Sequence, residues 1–291
     1  MTTIGFIGLG IMGGPMAEHL IAAGNQVAGF SLGSEWGPRL SAAGGRVAVD
    51  IADAVADVDV VITMLPNHPE VEHVVLGEKG VLASARPGTL LIDMSTIRPE
   101  SSTAIATAAA ERDIRVLDAP VSGGEAGAKQ GTLSIMVGGS AEDFAAAQPI
   151  LDALGKTIVH VGPHGAGQTV KAANQLVVAG TFALVSEAIV LLEASGVDAK
   201  AGLDVLAGGL AASRILDLKR ESMLARQFTP GFRIDLHHKD MGIATAAARS
   251  ADVALPVTGL IAQLMAAARS MGFGSLDHSA LLKVIEALSG R

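Results

Sequence analysis

The chain has 291 residues, 49% of them hydrophobic and 17% charged, with 35 glycines, no cysteine and a formal net charge of −8. That length suits two domains with a large core, and the apolar content excludes a disordered chain. An acidic balance without any basic run argues against a nucleic-acid or anionic-membrane surface. The lack of cysteine excludes disulfides, thiolate zinc sites and catalytic thiols, so a reducing, cytoplasmic setting is expected.

The N-terminus MTTIGFIGLG has no basic region and runs directly into a strand pattern, so no secretory signal is expected. From residue 4 to about 161, the short apolar runs TIGFIG, QVAGFS, VDVVITML, TLLIDMS, IRVLDAP and LSIMVGG alternate with alanine-rich helical patterns. Such alternation predicts repeated βαβ units, hence an α/β fold with a doubly wound, mostly parallel sheet. Around VHVGPHGAGQ, Gly162, Pro163, Gly165 and Gly167 punctuate the chain, and strand patterns then give way to helical ones. The first helix is expected from about 165 to 194, some 45 Å long at 1.5 Å per residue. Further helices follow near 199–209, 214–225, 235–250, 256–271 and 279–288. The apolar run LVVAGTFALV, between Gln175 and Ser186, is too short for the ~20 residues that span a bilayer, so no membrane association is expected. With 3% aromatic residues and a mean hydropathy of +0.45, alanine and glycine dominate the packing. Close helix approach and a buried subunit interface follow, so the chain is expected to form a homo-oligomer, a dimer or tetramer.

Gly8-Leu9-Gly10-Ile11-Met12-Gly13 lies between the first strand and a helix expected to begin near Ile11. In this strand-turn-helix context GxGxxG predicts a dinucleotide site rather than an ordinary glycine-rich turn. Gly8 permits the turn, Gly10 lets backbone approach a pyrophosphate, and Gly13 lets helix and strand pack closely. With Ile11 and Met12 they place phosphate charge at a helix N-terminus. Ser31 ends the second strand, where NAD sites usually carry Asp or Glu and NADP sites a nearby Arg. It could bond a ribose or a 2′-phosphate, so the cofactor is read as NAD(P). Met64, Leu65 and Pro66 follow one strand and Ser95-Thr96 another, at carboxyl ends where ligands collect, although on spacing alone either could be an ordinary loop.

Lys171, Asn174 and Gln175 share a helix face in KAANQ, at the end of an apolar helix where burial would favour proton donation by the amine. FRIDLHHKDMGIA adds Lys239 and Asp240, which on the residues alone read as a solvated pair beside two packing histidines. His237 and His238 are adjacent, so on a helix they point about 100° apart with no suitably spaced third ligand, and no metal site is expected.

GFIGLGIMGGPMAEHL, DAPVSGGEAGAKQGTLSIMVGG, GAGQTVKAANQ and HHKDMGIA, in this order across nearly the whole chain, resemble the four signatures of the β-hydroxyacid dehydrogenases. The resemblance implies an NAD(P)-binding Rossmann domain over 1–162 and an all-helical substrate and oligomerisation domain over 163–291. It implies Lys171 as the catalytic group, and Ser122, Gly123 and Gly124 as the binding segment for a small carboxylate substrate. Asn174 or Gln175 would be the substrate amide; many relatives carry Asn where this chain has Gln175. Met64, Leu65, Thr96 and Lys239 match positions near the cofactor. On spacing alone Ser122-Gly123-Gly124 could be no more than a tight turn. The stretches GGLAASRILDLK, FTPGFRIDLHHKD and LDHSALLKVIEAL narrow the implied reaction to tartronate semialdehyde and D-glycerate, with 3-hydroxyisobutyrate oxidation or another family reaction as the alternative. An imine reductase would be expected to lack the lysine. A non-catalytic dinucleotide-binding protein would be expected to lack it too and to carry an added basic or linker region.

Overall fold

Nine strands are present among the residues described by the computed structural model, 1–33 and 35–291. They are β1 (Thr3–Ile7), β2 (Gln26–Phe30), β3 (Arg46–Val47), β4 (Val60–Thr63), β5 (Leu90–Asp93), β6 (Arg115–Asp118), β7 (Val121–Ser122), β8 (Leu133–Gly139) and β9 (Gly155–Gly162). All belong to one sheet. Its order begins β3-β2-β1-β4-β5-β6 with every pair parallel, the arrangement of doubly wound dinucleotide-binding sheets. β8 then joins β6 antiparallel, pairs with β7 antiparallel and takes β9 on a parallel register. The α/β class read from the sequence is the observed one.

The central strands VVIT and LLID are buried at every position, as expected for parallel strands covered on both faces. Side chains alternate between two cores. Ile4, Phe6, Ile62, Ile92 and Leu117 pack on one face, and Ile7, Val61, Leu91 and Val116 on the other. The connecting helices are α1 (Gly13–Ala22), α2 (Gly37–Ala42), α3 (Ile51–Val55), α4 (His68–Leu76), α5 (Val81–Ser84), α6 (Pro99–Ala110), α7 (Gly124–Gln130) and α8 (Ala141–Leu151). α1 begins two residues later than the sequence suggested, because Ile11 and Met12 form a turn before Gly13 enters the helix.

The chain forms two compact units, Met1–Lys171 and Ala172–Arg291. The boundary falls inside the longest helix, α9 (Ala166–Ala194). In the second unit α10 (Ala199–Gly208), α11 (Arg214–Leu224), α12 (Ile234–Ser250), α13 (Pro256–Ser270), a short 3-10 turn His278–Ala280 and α14 (Leu281–Leu288) follow. Their shared core contains Phe182, Ile189, Met223, Ile234, Met241 and Leu282. α9 corrects the sequence reading of its apolar stretch. The helix is long and apolar enough to cross a membrane by length and composition, and less than half of its most apolar stretch is buried. The reading counted only the run inside Gln175 and Ser186, whereas alanines and aliphatic residues beyond it extend the apolar character.

Candidate active site

The glycine turn is built as the motif requires. Gly8 has φ +103°, its N–H donates to the Phe30 carbonyl at 2.9 Å, and a Cβ there would collide with the Met64 carbonyl. A Cβ on Gly13 would strike the Gly8 carbonyl, so α1 packs directly on the turn. Gly10 is different: it is exposed, and nothing lies within 4 Å of where its Cβ would be. Bare backbone at the start of α1, beneath open space, fits the close approach of a dinucleotide phosphate. Ser31, half-buried, follows Phe30 and so lies beside this turn.

The two loops at the carboxyl ends of β4 and β5 are joined by a buried acid. Asp93 Oδ1 accepts from the Thr63 hydroxyl at 2.7 Å and from the Ser95 N–H at 3.1 Å, and the Ser95 hydroxyl accepts from the Leu65 N–H at 2.9 Å. Leu65 is thereby fixed to Ser95, while Pro66 beyond it is exposed. Asp93 Oδ2 is buried with no hydrogen-bonding partner among the described residues. Burial pushes this carboxyl up to about 6, against hydrogen bonds from Ser95 and Thr63 that favour the charged form; the charge of Asp118 adds to the upward shift.

Asp118 stands in register with Asp93 on the adjacent strand. Its carboxylate accepts from the Gly165 N–H at 2.8 Å and the Gln168 N–H at 3.0 Å, capping the first turn of α9 from outside the helix. Burial raises its pKa, and these backbone bonds oppose the rise. Gln168 then clasps the β5 loop: its Nε2 donates to the Ser95 carbonyl at 2.9 Å and its Oε1 accepts from the Ile97 N–H at 3.1 Å.

One turn farther along α9, Lys171 is 6% exposed and its Nζ donates to the Val121 carbonyl at 2.6 Å. Val121 immediately precedes Ser122-Gly123-Gly124. The candidate proton donor and the candidate carboxylate-binding segment are therefore adjacent within the first unit. This segment leads from β7 directly into a helix. Gly123 and Gly124 have φ values of +138° and +60°, and Gly124 opens the short helix α7. Two successive positive φ values turn the backbone between β7 and α7 in a way that a side chain would oppose.

In the second unit, the Asn174 Nδ2 donates to Gln175 Oε1 at 2.8 Å, and Gln175 Nε2 donates to Asp240 Oδ2 at 2.5 Å. Lys239 forms an ion pair with Asp240 at 3.1 Å. His237 contacts the Gln175 carbonyl through Nε2 at 3.1 Å and His278 through Nδ1 at 3.0 Å, whereas His238 faces Arg269. The two adjacent histidines thus serve different surroundings. Asp93, Asp118, Gln168 and the bond from Gln175 to Asp240 were not singled out by sequence reasoning. A charged residue closing two apolar strands, LLID and RVLD, was the available signal for the first two.

A parallel sheet ordered 3-2-1-4-5-6, an open glycine turn and a buried lysine define a dinucleotide-dependent oxidoreductase. Comparison with known proteins narrows the class. Residues 3–162 match the profile described as the NAD binding domain of 6-phosphogluconate dehydrogenase, and residues 165–285 that of the NAD-binding region of NADP-dependent 3-hydroxyisobutyrate dehydrogenase. The chain is 42% identical over 287 residues to the 2-hydroxy-3-oxopropionate reductase of Escherichia coli (strain K12), covering 98% of each. It is 40% identical to the 2-(hydroxymethyl)glutarate dehydrogenase of Eubacterium barkeri, over 99% of this chain and 96% of that protein. The 3-hydroxyisobutyrate dehydrogenase of Mycobacterium tuberculosis, solved with L-serine, superposes with a TM-score of 0.88 at 36% identity, covering 98% of this chain and 99% of that one. The chain belongs to the β-hydroxyacid dehydrogenase family of NAD(P)-dependent enzymes.

Proposed function

We propose that the chain interconverts tartronate semialdehyde (2-hydroxy-3-oxopropanoate) and D-glycerate. The observation that carries the chemistry is the buried Lys171 amine on the carbonyl that precedes Ser122-Gly123-Gly124. Support for the substrate comes from end-to-end likeness to the E. coli reductase. The hydride is supplied or accepted by the bound nicotinamide. Ser122, with the backbone of Gly123 and Gly124, holds the substrate carboxylate without steric bulk and so orients the aldehyde carbon. Lys171 gives a proton to the oxygen as its carbon becomes tetrahedral, and in reverse the neutral amine takes the hydroxyl proton. Gly8, Gly10, Ile11, Met12 and Gly13 would bind the pyrophosphate, Ser31 the adenosine ribose or its phosphate, and Met64, Leu65, Pro66, Thr96 and Lys239 the remainder of the dinucleotide. The same reading divides the labour at residue 162, with dinucleotide binding before it and substrate binding and assembly after it.

α9 also carries Val177, Leu184 and Leu191, seven residues apart and 62%, 68% and 67% exposed. A regular apolar seam of this kind suits burial against another copy, so the protein is read as a homo-oligomer, a dimer or tetramer, in the cytoplasm. α9 then serves as a core helix of a soluble protein, in keeping with the packing of Ala179, Phe182 and Ile189.

The test follows NADH and NADPH oxidation separately with tartronate, methylmalonate and succinic semialdehydes. Fastest turnover of the first supports the proposal, and preference for the second would assign a 3-hydroxyisobutyrate dehydrogenase instead. Lys171→Ala should abolish turnover while the dinucleotide Kd stays near wild type. Retained turnover would refute the role given to the amine.

A further inference from the structure

We infer that this chain selects NAD(H) over NADP(H), and that Leu32, Arg39 and Glu18 set the choice at the adenosine end of the dinucleotide. The inference rests on the dehydrogenase reading above and deepens it. The residues involved all lie in the first unit, around the carboxyl end of β2. That end is tied to the glycine turn, because the Phe30 carbonyl accepts from the Gly8 N–H. The adenosine ribose of a dinucleotide seated on such a turn falls beside the residues that follow the strand. NADP differs from NAD only there, by a phosphate that carries nearly two negative charges at neutral pH.

The residues after β2 offer such a group little. Ser31 is half-buried and brings one hydroxyl, which can bond a ribose oxygen but carries no charge. Leu32 is 98% exposed, so it can lend apolar surface to a base and no donor to a phosphate. Between Gly24 and Val55 the sequence supplies two cations, Arg39 and Arg46, and both are engaged. Arg39 donates from Nε and Nη2 to the two oxygens of Glu18, each at 3.1 Å, and its guanidinium lies 4.1 Å from the centre of the Trp36 ring. Trp36 in turn rests on Gly14, where a Cβ would lie 2.1 Å from the ring, so ring and guanidinium are both laid against α1. Arg46, on the strand beside β2, donates to the Asp53 carboxylate at 2.7 Å and to the Asp53 carbonyl at 2.8 Å. Pairs made at two points fix the direction of a guanidinium as well as offsetting its charge. Glu35 and Asp50 are exposed, so Glu18, Glu35, Asp50 and Asp53 outnumber the two arginines around this end of the sheet. A 2′-phosphate therefore enters a field of its own sign, to which an uncharged ribose is indifferent.

The test is calorimetric titration of the full chain with NAD+ and NADP+ separately, without substrate, at low and high salt. NAD+ is expected to bind at least about tenfold more tightly at low salt. The gap should narrow between about 50 and 500 mM NaCl, because salt screens the repulsion of the phosphate. Leu32→Arg, at a position exposed to solvent, places a guanidinium beside Ser31. It should tighten NADP+ by about tenfold and leave NAD+ within about threefold. Glu18→Gln releases Arg39 and removes one negative charge, and should tighten NADP+ by about threefold with NAD+ unchanged. NADP+ binding as tight as NAD+ in the unaltered chain would overturn the inference. So would a preference for NAD+ that widens with salt, or a Glu18→Gln variant whose affinity for NADP+ does not rise. A chain that binds neither dinucleotide would overturn the dehydrogenase reading and this inference with it, whereas tight binding with NADP+ preferred overturns the inference alone.

Discussion

Replacing Asp93 by asparagine separates what this residue does by shape from what its charge costs. Oδ1 receives both the Thr63 hydroxyl and the Ser95 N–H, and an asparagine retains that oxygen. Burial raises the acid from 3.8 to about 6, which at about 1.4 kcal/mol per unit is about 3 kcal/mol. The direction follows from proton linkage. Between these two values the folded chain keeps a proton that the unfolded chain has lost, so stability falls as pH rises through the window. Below 3.8 the cost is absent; by pH 5 about half of it has appeared, and above 6 it is complete. The Asp93→Asn variant carries no such dependence. Between pH 5 and 7.5 its Tm relative to wild type should rise by the equivalent of about 1 kcal/mol, roughly 2–4 °C for a unit of this size. Thermal unfolding of the full chain and the variant, measured in parallel at pH 5, 6, 7 and 7.5, makes the comparison. Two Tm curves that stay parallel across that range would show that Asp93 is not held as a neutral acid in the folded protein.

The glycine turn predicts two different failures. Gly10→Val introduces bulk only into open space, so the Tm should hold while the dinucleotide Kd weakens by about a hundredfold, as isothermal calorimetry would show. Gly8→Ala meets the Met64 carbonyl from a positive φ, so it should lower the Tm even without ligand, by the equivalent of about 1–3 kcal/mol or more. On α9, Leu184→Glu places a charge at the centre of the exposed seam and should reduce the molar mass measured by light scattering toward that of one chain. An unchanged mass would remove the seam from the subunit interface.

Much of the fold was legible because its signals are local. TIGFI, VVIT and LLID are apolar at positions that the sheet covers on both faces, and the glycine turn follows the first of them at once. The helices after residue 165 carry their own stops, such as Gly196 with φ +70°. The site was legible only in its exposed or motif-bearing parts. Lys171 and Ser122 are 49 positions apart, and no periodicity could say that the lysine would settle on the carbonyl of Val121. Gln168 and Ser95 meet across 73 positions for the same reason. Gln175 and Asp240 likewise meet across 65 positions.

Asp118 shows how the sheet and the lysine become one device. A strand ending in a buried carboxylate would ordinarily be penalised, but here the first turn of α9 brings two N–H groups to it. The approach is possible only because side chains are missing nearby. A Cβ on Gly138 would lie 2.5 Å from Asp118 Oδ1, and one on Gly167 would lie 2.7 Å from the Asp118 carbonyl. With the first turn seated on β6, Gln168 reaches the loop after β5, and Lys171, three residues on, reaches the strand after β6. The helix therefore has its rotation and its depth set by two strand ends before the lysine is placed. A glycine at 138 or 167 is thus as necessary to the amine's position as the residues that touch it. Either Gly→Ala change should lower kcat together with the Tm, whereas Lys171→Ala should lower kcat alone.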